Sequence, residues 1–271
     1  MSDLDWDNHL RLVKTGEFSL DPGAYFGIVP RAIWGRSFSA TESGRIKLAL
    51  NTAVINYKGN SYIIDTGIGQ AFDGKLRQIY DVTMYGDTAS LILDAVEKGA
   101  DPLIVCSHLH FDHSGNCRML RSKLRPHGNI IVQEEEWRAA GKLNEFTRGS
   151  YGDGRSGLRS DMVTTIRGTS KIRGLNVILT GGHSPGHQVV VFNPGHGEII
   201  YFGDLIPSRF HVRPAYVTAI DVEPLVSLRM KKLLIKRAIR NGSLCIFNHD
   251  DVSPLGYLRG EPEKPVVEPF G

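Results

Sequence analysis

Apolar positions along this chain change period several times, and each change marks a predicted element. Residues 10–20 alternate loosely and stop at Asp21-Pro22-Gly23, a turn signature, so an edge strand or an arm is expected there. The stretch Ala24-Tyr25-Phe26-Gly27-Ile28-Val29-Pro30 is apolar but twice broken, which predicts a loop laid over the core rather than a strand. Residues 46–56 and 61–65 carry strand patterns on either side of a Lys58-Gly59-Asn60 turn, and together they predict a hairpin. Over 88–98 the period lengthens to that of an amphipathic helix with Ala89, Leu91, Ile92, Ala95 and Val96 on its inner side. A short buried strand is expected at 102–106, then a helix at 116–124, a strand at 129–132 and a helix at 134–141. Residues 142–170 are rich in Gly, Arg, Ser and Thr and show no period. So long an irregular stretch is usually functional or mobile.

Beyond it, 175–180 reads as a strand, and 188–192 with 198–202 as a hairpin turning at Pro194-Gly195. The clearest helix covers 225–241, with Leu225, Leu228, Leu233, Leu234, Ile235, Ala238 and Ile239 apolar and Gly242 as its C-terminal cap. Its basic pairs Lys231-Lys232 and Lys236-Arg237 read as the solvated face. A last strand is expected at 244–247. Two β-rich halves, each followed by helices, predict an α/β protein in which sheet packs on sheet and helices lie outside.

Composition narrows the class without naming a function. With 271 residues the chain can form one large domain or two small ones, and a single domain over 1–271 with an N-terminal arm of about 45 residues is expected. A net charge of +3, with no Lys/Arg block free of acids, gives no argument for nucleic-acid binding. Cys106, Cys117 and Cys245 are odd in number and lack C-x-x-C spacing, so neither a disulfide framework nor a thiolate metal site is indicated. Free thiols fit a reducing cytosol. The acidic start MSDLDWDNHL is not a signal peptide, and no apolar run approaches the ~18 residues of a membrane span. A cytoplasmic protein acting away from membranes is expected.

One stretch carries chemistry. Ser107-His108-Leu109-His110-Phe111-Asp112-His113-Ser114-Gly115-Asn116 packs three imidazoles and a carboxylate into the spacing H-x-H-x-D-H. Folding has no use for such a cluster. Nitrogen and carboxylate donors converging on a loop suit zinc and its neighbours. The loop follows the strand at 102–106 directly, which is how α/β proteins place chemistry at the carboxyl ends of strands. Three more strands end in a candidate ligand: His183 after Gly181-Gly182, Asp204 after Gly203, and His249 after Asn248. With the cluster these make seven donors, enough for two metals sharing one bridge. Asp65, closing the strand at 61–65, can reach the metal loop as an acceptor or simply stabilise its own turn.

The order H-x-H-x-D-H, Gly182-His183-Ser184-Pro185-Gly186-His187, Gly203-Asp204 and His249 resembles that of the metallo-β-lactamase-fold hydrolases, and the 51–69 hairpin is similar to that family's opening strands. The resemblance implies an αβ/βα sandwich of two mixed sheets with helices on the outer faces. It implies that His108, His110 and His183 hold one metal, that Asp112, His113 and His249 hold the other, and that Asp204 bridges them. His187 falls outside this ligand set and is expected to play a supporting role. Two divalent ions, zinc first and manganese, iron or cobalt as alternatives, would acidify a water held between them. Asp112 or Asp204 would pass the proton to the leaving group.

Within the family, His110 differs from the diiron oxidoreductases, which usually carry Glu there, and Asp112-His113 with Asp204 differs from the mononuclear β-lactamases. The segments 24–30, Gly203-Asp204-Leu205-Ile206-Pro207 and Asn248-His249-Asp250 are similar to the branch of acyl-homoserine lactone lactonases (quorum-quenching enzymes) and methyl parathion hydrolase. Pro207 departs from it, standing where the best-known lactonases place an assisting tyrosine. His211 is a candidate replacement donor, and Phe26 and Phe111 are candidate substrate walls. The expectation is a dinuclear lactonase, active on a small lactone or ester and assembled as a homodimer. Arylester or phosphotriester hydrolysis is the alternative, and a thioesterase of the glyoxalase II type a further one. A redox enzyme on the same site and a non-catalytic metal-binding protein are the readings from other classes.

Overall fold

The computed structural model describes residues 6, 9–69, 74–124, 129–152, 154–195 and 197–270. Its fourteen strands are β1 (Leu10–Leu20), β2 (Ile46–Tyr57), β3 (Asn60–Ile64), β4 (Thr83–Met84), β5 (Asp101–Val105), β6 (Asn129–Gln133), β7 (Val163–Ile166), β8 (Ser170–Ile172), β9 (Leu175–Leu179), β10 (Gln188–Phe192), β11 (Ile199–Tyr201), β12 (Leu244–Ile246), β13 (Leu255–Arg259) and β14 (Val266–Pro269). The helices are α1 (Pro22–Phe26), α2 (Arg31–Trp34), α3 (Gly74–Ile79), α4 (Thr88–Ala95), α5 (Phe111–Ser114), α6 (Cys117–Lys123), α7 (Glu134–Ala140), α8 (Arg148–Tyr151) and α9 (Pro224–Asn241). The strands form two seven-stranded mixed sheets, ordered β4-β1-β2-β3-β5-β6-β7 and β14-β13-β12-β11-β10-β9-β8.

Alternation along each strand divides the apolar residues between two layers. Tyr62 and Ile64 of β3, Leu103 and Val105 of β5, and Val190 and Phe192 of β10 meet between the sheets. Their neighbours Ile63 and Ile104 face outward under α4, α6 and α7, while Val189 and Val191 face α9. This period of two, covered on both faces, is what continuous runs such as Pro102-Leu103-Ile104-Val105 encode. The αβ/βα sandwich inferred from the sequence is therefore the observed one.

Segment 24–30 does lie over the core, but it enters as a helical turn: Asp21 caps α1 by accepting from the Gly23 amide, and Tyr25, Phe26 and Val29 are buried. Within the stretch expected to be irregular, α8 and β7 form, and β8 begins at its end. Cys106 and Cys117 bracket the His-rich loop as buried free thiols with their sulfurs 3.3 Å apart.

The solvated face assigned to α9 is corrected at one position. Ser227, Lys231, Leu234, Ile235 and Ala238 are the buried residues of that helix, a stripe at helical spacing, while Leu225 and Leu233 face out. Lys231 is inside because its place in the stripe outweighs its charge. Its Nζ donates to the Tyr216 carbonyl oxygen, and burial pulls its pKa down to about 7 against the opposing pull of Asp221.

Between about pH 7 and 10.5 the unfolded chain therefore holds a proton that the folded state has lost. Stability should rise with pH through that window, by at most about 1.4 kcal/mol per unit, and be independent of this group below it. Lys231→Met should flatten the rise, as read by urea midpoints at pH 7, 8.5 and 10. An equally steep rise in the variant would refute the assignment.

Candidate metal centre

Strands β9, β11 and β12 run the same way, because β9 and β11 are both antiparallel to β10 and β12 is parallel to β11. In the first sheet β3 and β5 are likewise parallel. The carboxyl ends of these five strands deliver Asp65, the 107–113 loop, His183, Asp204 and His249 to one place. Donor atoms of His108, His110 and His183 lie within 4.8 Å of one another, and so do those of Asp112, His113, Asp204 and His249. All seven residues expected as ligands are brought together.

Four of the imidazoles are aimed from behind. Asp65 accepts from His113 Nδ1 at 2.7 Å, Ser107 Oγ from His108 Nδ1 at 3.0 Å, Asp221 from His183 Nδ1 at 2.8 Å and the Ala49 carbonyl from His249 Nδ1 at 2.8 Å. Each fixes the tautomer and turns an Nε2 lone pair forward, the usual arrangement behind metal-ligating histidine. Asp65 also accepts from Ser107 and Tyr201, which settles its position behind the loop; its φ of 58° is one that aspartate tolerates. His187 keeps a supporting role: Thr180 Oγ1 accepts from its Nδ1, and its Nε2 accepts from the Asp204 amide at 3.1 Å. Burial holds it neutral, with a pKa of about 3.

The front of the site fits a metal. His108 Nε2 and His113 Nε2 are buried without a hydrogen-bond partner. His113 Nε2 lies 3.1 Å from Asp204 Oδ1. His110 Nδ1 and His183 Nε2 face each other at 3.1 Å. Burial, then the neighbouring imidazoles, pushes His108 well below the usual imidazole range. For His113 burial acts downward too, but the Asp204, Asp112 and Asp65 carboxylates outweigh it and raise the pKa well above normal. Buried lone pairs without partners, beside buried carboxylates, are an environment a cation completes.

Asp204 stands between the two groups. One oxygen is 3.1 Å from His113 Nε2 and 3.2 Å from His249 Nε2; the other is 3.4 Å from His183 Nε2. Asn248 steadies it by donating to Oδ1.

A cleft of about 420 Å³ opens onto His110, Asp112 and Asp204, and its walls are mostly apolar: Leu20, Ala24, Ile79, Tyr80, Phe111, Phe146 and Ile220. Phe111 lies on this wall. Phe26 and His211 are not among the described lining residues. Phe26 is buried, stacked between the rings of Trp34 and His211. Both His211 nitrogens are engaged, with Ser208 Oγ and the Tyr25 carbonyl.

The model of the metallo-beta-lactamase superfamily matches residues 47–240. No curated protein matches the chain in sequence. Among solved structures, one described as a probable metal-dependent hydrolase from Staphylococcus aureus is 23% identical, with a TM-score of 0.83 and 96% of each chain covered. AidC, described as a dizinc quorum-quenching lactonase, is 17% identical with a TM-score of 0.73, covering 97% of this chain and 94% of its own. AiiA from B. thuringiensis, with N-decanoyl-L-homoserine at its active site, is 18% identical with a TM-score of 0.66, covering 90% and 93%. At these identities the likeness is one of fold.

Proposed function

The chain belongs to the metallo-beta-lactamase superfamily, and from that premise we propose that this hydrolase uses two metal ions to open lactones. His108, His110 and His183 would hold one ion and Asp112, His113 and His249 the other, with Asp204 in reach of both. The observation that carries the reading is Asp204 presenting one oxygen to each group of donors. The nitrogen and carboxylate set suits zinc. When bound, such a pair of ions supplies an acidified water and a Lewis-acid contact for a carbonyl oxygen.

The chain supplies the rest. Asp112 opens onto the cleft beside Asp204 and is placed to pass a proton to the leaving alkoxide. Phe111, Tyr80, Ile79 and Phe146 offer apolar surface to an acyl substituent and shield the reacting centre from water. A second reading, aryl-ester or phosphotriester hydrolysis, is favoured by Pro207 standing in place of a donor and by the three aromatic rings on the cleft wall. AidC and AiiA, as lactonase and homoserine-bound enzyme, support the first reading.

Proton release by the metal-loaded protein tests both. A long-chain acyl-homoserine lactone should exceed an aryl ester and a phosphotriester in kcat/KM, and chelation should abolish turnover of all three. A faster ester or phosphotriester would overturn the lactonase reading. Turnover that survives complete chelation would overturn the metal mechanism.

A further inference from the structure

Glu136, at the start of α7, is a fully buried carboxylate that accepts four hydrogen bonds. Oε1 takes the Leu109 amide at 2.9 Å and the Tyr151 hydroxyl at 2.8 Å; Oε2 takes Ser184 Oγ at 2.7 Å and the Gly186 amide at 3.0 Å. The four donors come from three separate places. Leu109 sits between His108 and His110, Ser184 and Gly186 follow His183, and Tyr151 ends α8. The ring of Tyr151 stands edge-on to His110 with centroids 4.6 Å apart. The contact is close enough that a Cβ on Gly186 would lie 2.2 Å from the Glu136 nitrogen.

We propose that Glu136 is a positioning residue that locks the three-histidine group as a unit and ties it to the substrate-facing wall. This rests on the reading that His108, His110 and His183 hold a metal. One carboxylate thereby bonds both chain segments that supply that group, and none of its four bonds comes from Asp112, His113 or His249. Through Tyr151 it also anchors α8, whose Gly149 and Ser150 line the cleft. Glutamine cannot replace it: one oxygen becomes an NH₂, and the Gly186 or Leu109 amide then faces a donor.

The test is stepwise titration of the metal-free protein with cobalt(II), followed by absorption and calorimetry. His110→Ala identifies which step belongs to the three-histidine group. Glu136→Gln should weaken that step by about 10–100-fold and leave the other unchanged. Ser184→Ala, which removes one donor, should weaken the same step less and carries the test if Glu136→Gln does not fold. Tyr151→Phe should raise KM several-fold with both metal steps and kcat intact.

Equal weakening of both steps, tracking a fall in the melting temperature of the metal-free protein, would show a general structural role and overturn the proposal. So would an unaltered three-histidine step. An unchanged KM in Tyr151→Phe would overturn the link to the wall. A wild type that takes up fewer than two ions would instead overturn the metal reading itself, and the proposal with it.

Discussion

Replacing Asp204 by asparagine is expected to cut turnover about 1,000-fold without disturbing the fold. The two side chains have the same shape, but the amide offers one oxygen instead of two and carries no charge. The loss falls at the one point shared by both donor groups, where Oδ1 faces His113 and His249 and Oδ2 faces His183. Stabilisation of developing charge by metal ions amounts to several kcal/mol. At 1.36 kcal/mol per tenfold change, losing about 4 kcal/mol corresponds to roughly three decades. Asn248, the Nδ2 donor to Oδ1, can still bond the amide oxygen, so circular dichroism should be unchanged. Initial rates and metal content measured on the same preparation give the check. A variant that binds less than the full metal and turns over slowly supports the shared position of Asp204. One that turns over at the wild-type rate removes it from the mechanism.

What could be read from the sequence was what is local. H-x-H-x-D-H lies on six consecutive residues, and His183, Asp204 and His249 each follow an apolar run that ends beside a glycine or asparagine. Such signals survive without knowledge of the partners. The side chains that aim the candidate ligands carry no comparable mark. Asp221 reaches His183 across 38 residues and Glu136 reaches Ser184 across 48, and no spacing in the sequence pairs either with its partner. Aromatic residues were ambiguous for a related reason: a single sequence does not say which way a ring turns. Phe111 turns to the cleft, while Phe26 enters the cluster with Trp34 and His211. The strands β7 and β14 escaped notice because they are edge strands and only partly covered, so period-two burial is weak along them. Lys231 failed in the opposite sense. Its spacing from Ser227 and Ile235 placed it on the inner stripe, and its residue type hid the fact.

Gly115→Ala is expected to be the most disruptive small substitution at the site. Gly115 follows α5 in an ordinary helical conformation, so backbone strain is not the issue. Space is. A Cβ there would lie 2.0 Å from the Ile68 carbonyl oxygen and 2.5 Å from that of Phe111. Both obstacles are backbone, and neither can turn aside as a side chain would. The loop after β3 is bonded to α5 and the turn after it at this point, with the Thr66 amide donating to the His113 carbonyl and the Asn116 amide to that of Gly67. Relief of the clash must therefore separate the two segments that bear Asp65 and His113, and with them the 2.7 Å bond that aims His113. Forced backbone movement of this kind costs about 3 kcal/mol, or about 6–12 °C in melting temperature. The damage should reach chemistry as well: the metal step assigned to Asp112, His113 and His249 should weaken, while the three-histidine step holds. Gly74→Ala is the matched control, since among the described residues nothing lies within 4 Å of its would-be Cβ, and it should leave both steps and the melting temperature unchanged. If Gly115→Ala melts with the wild type, the close approach of these two loops is not what holds Asp65 against His113.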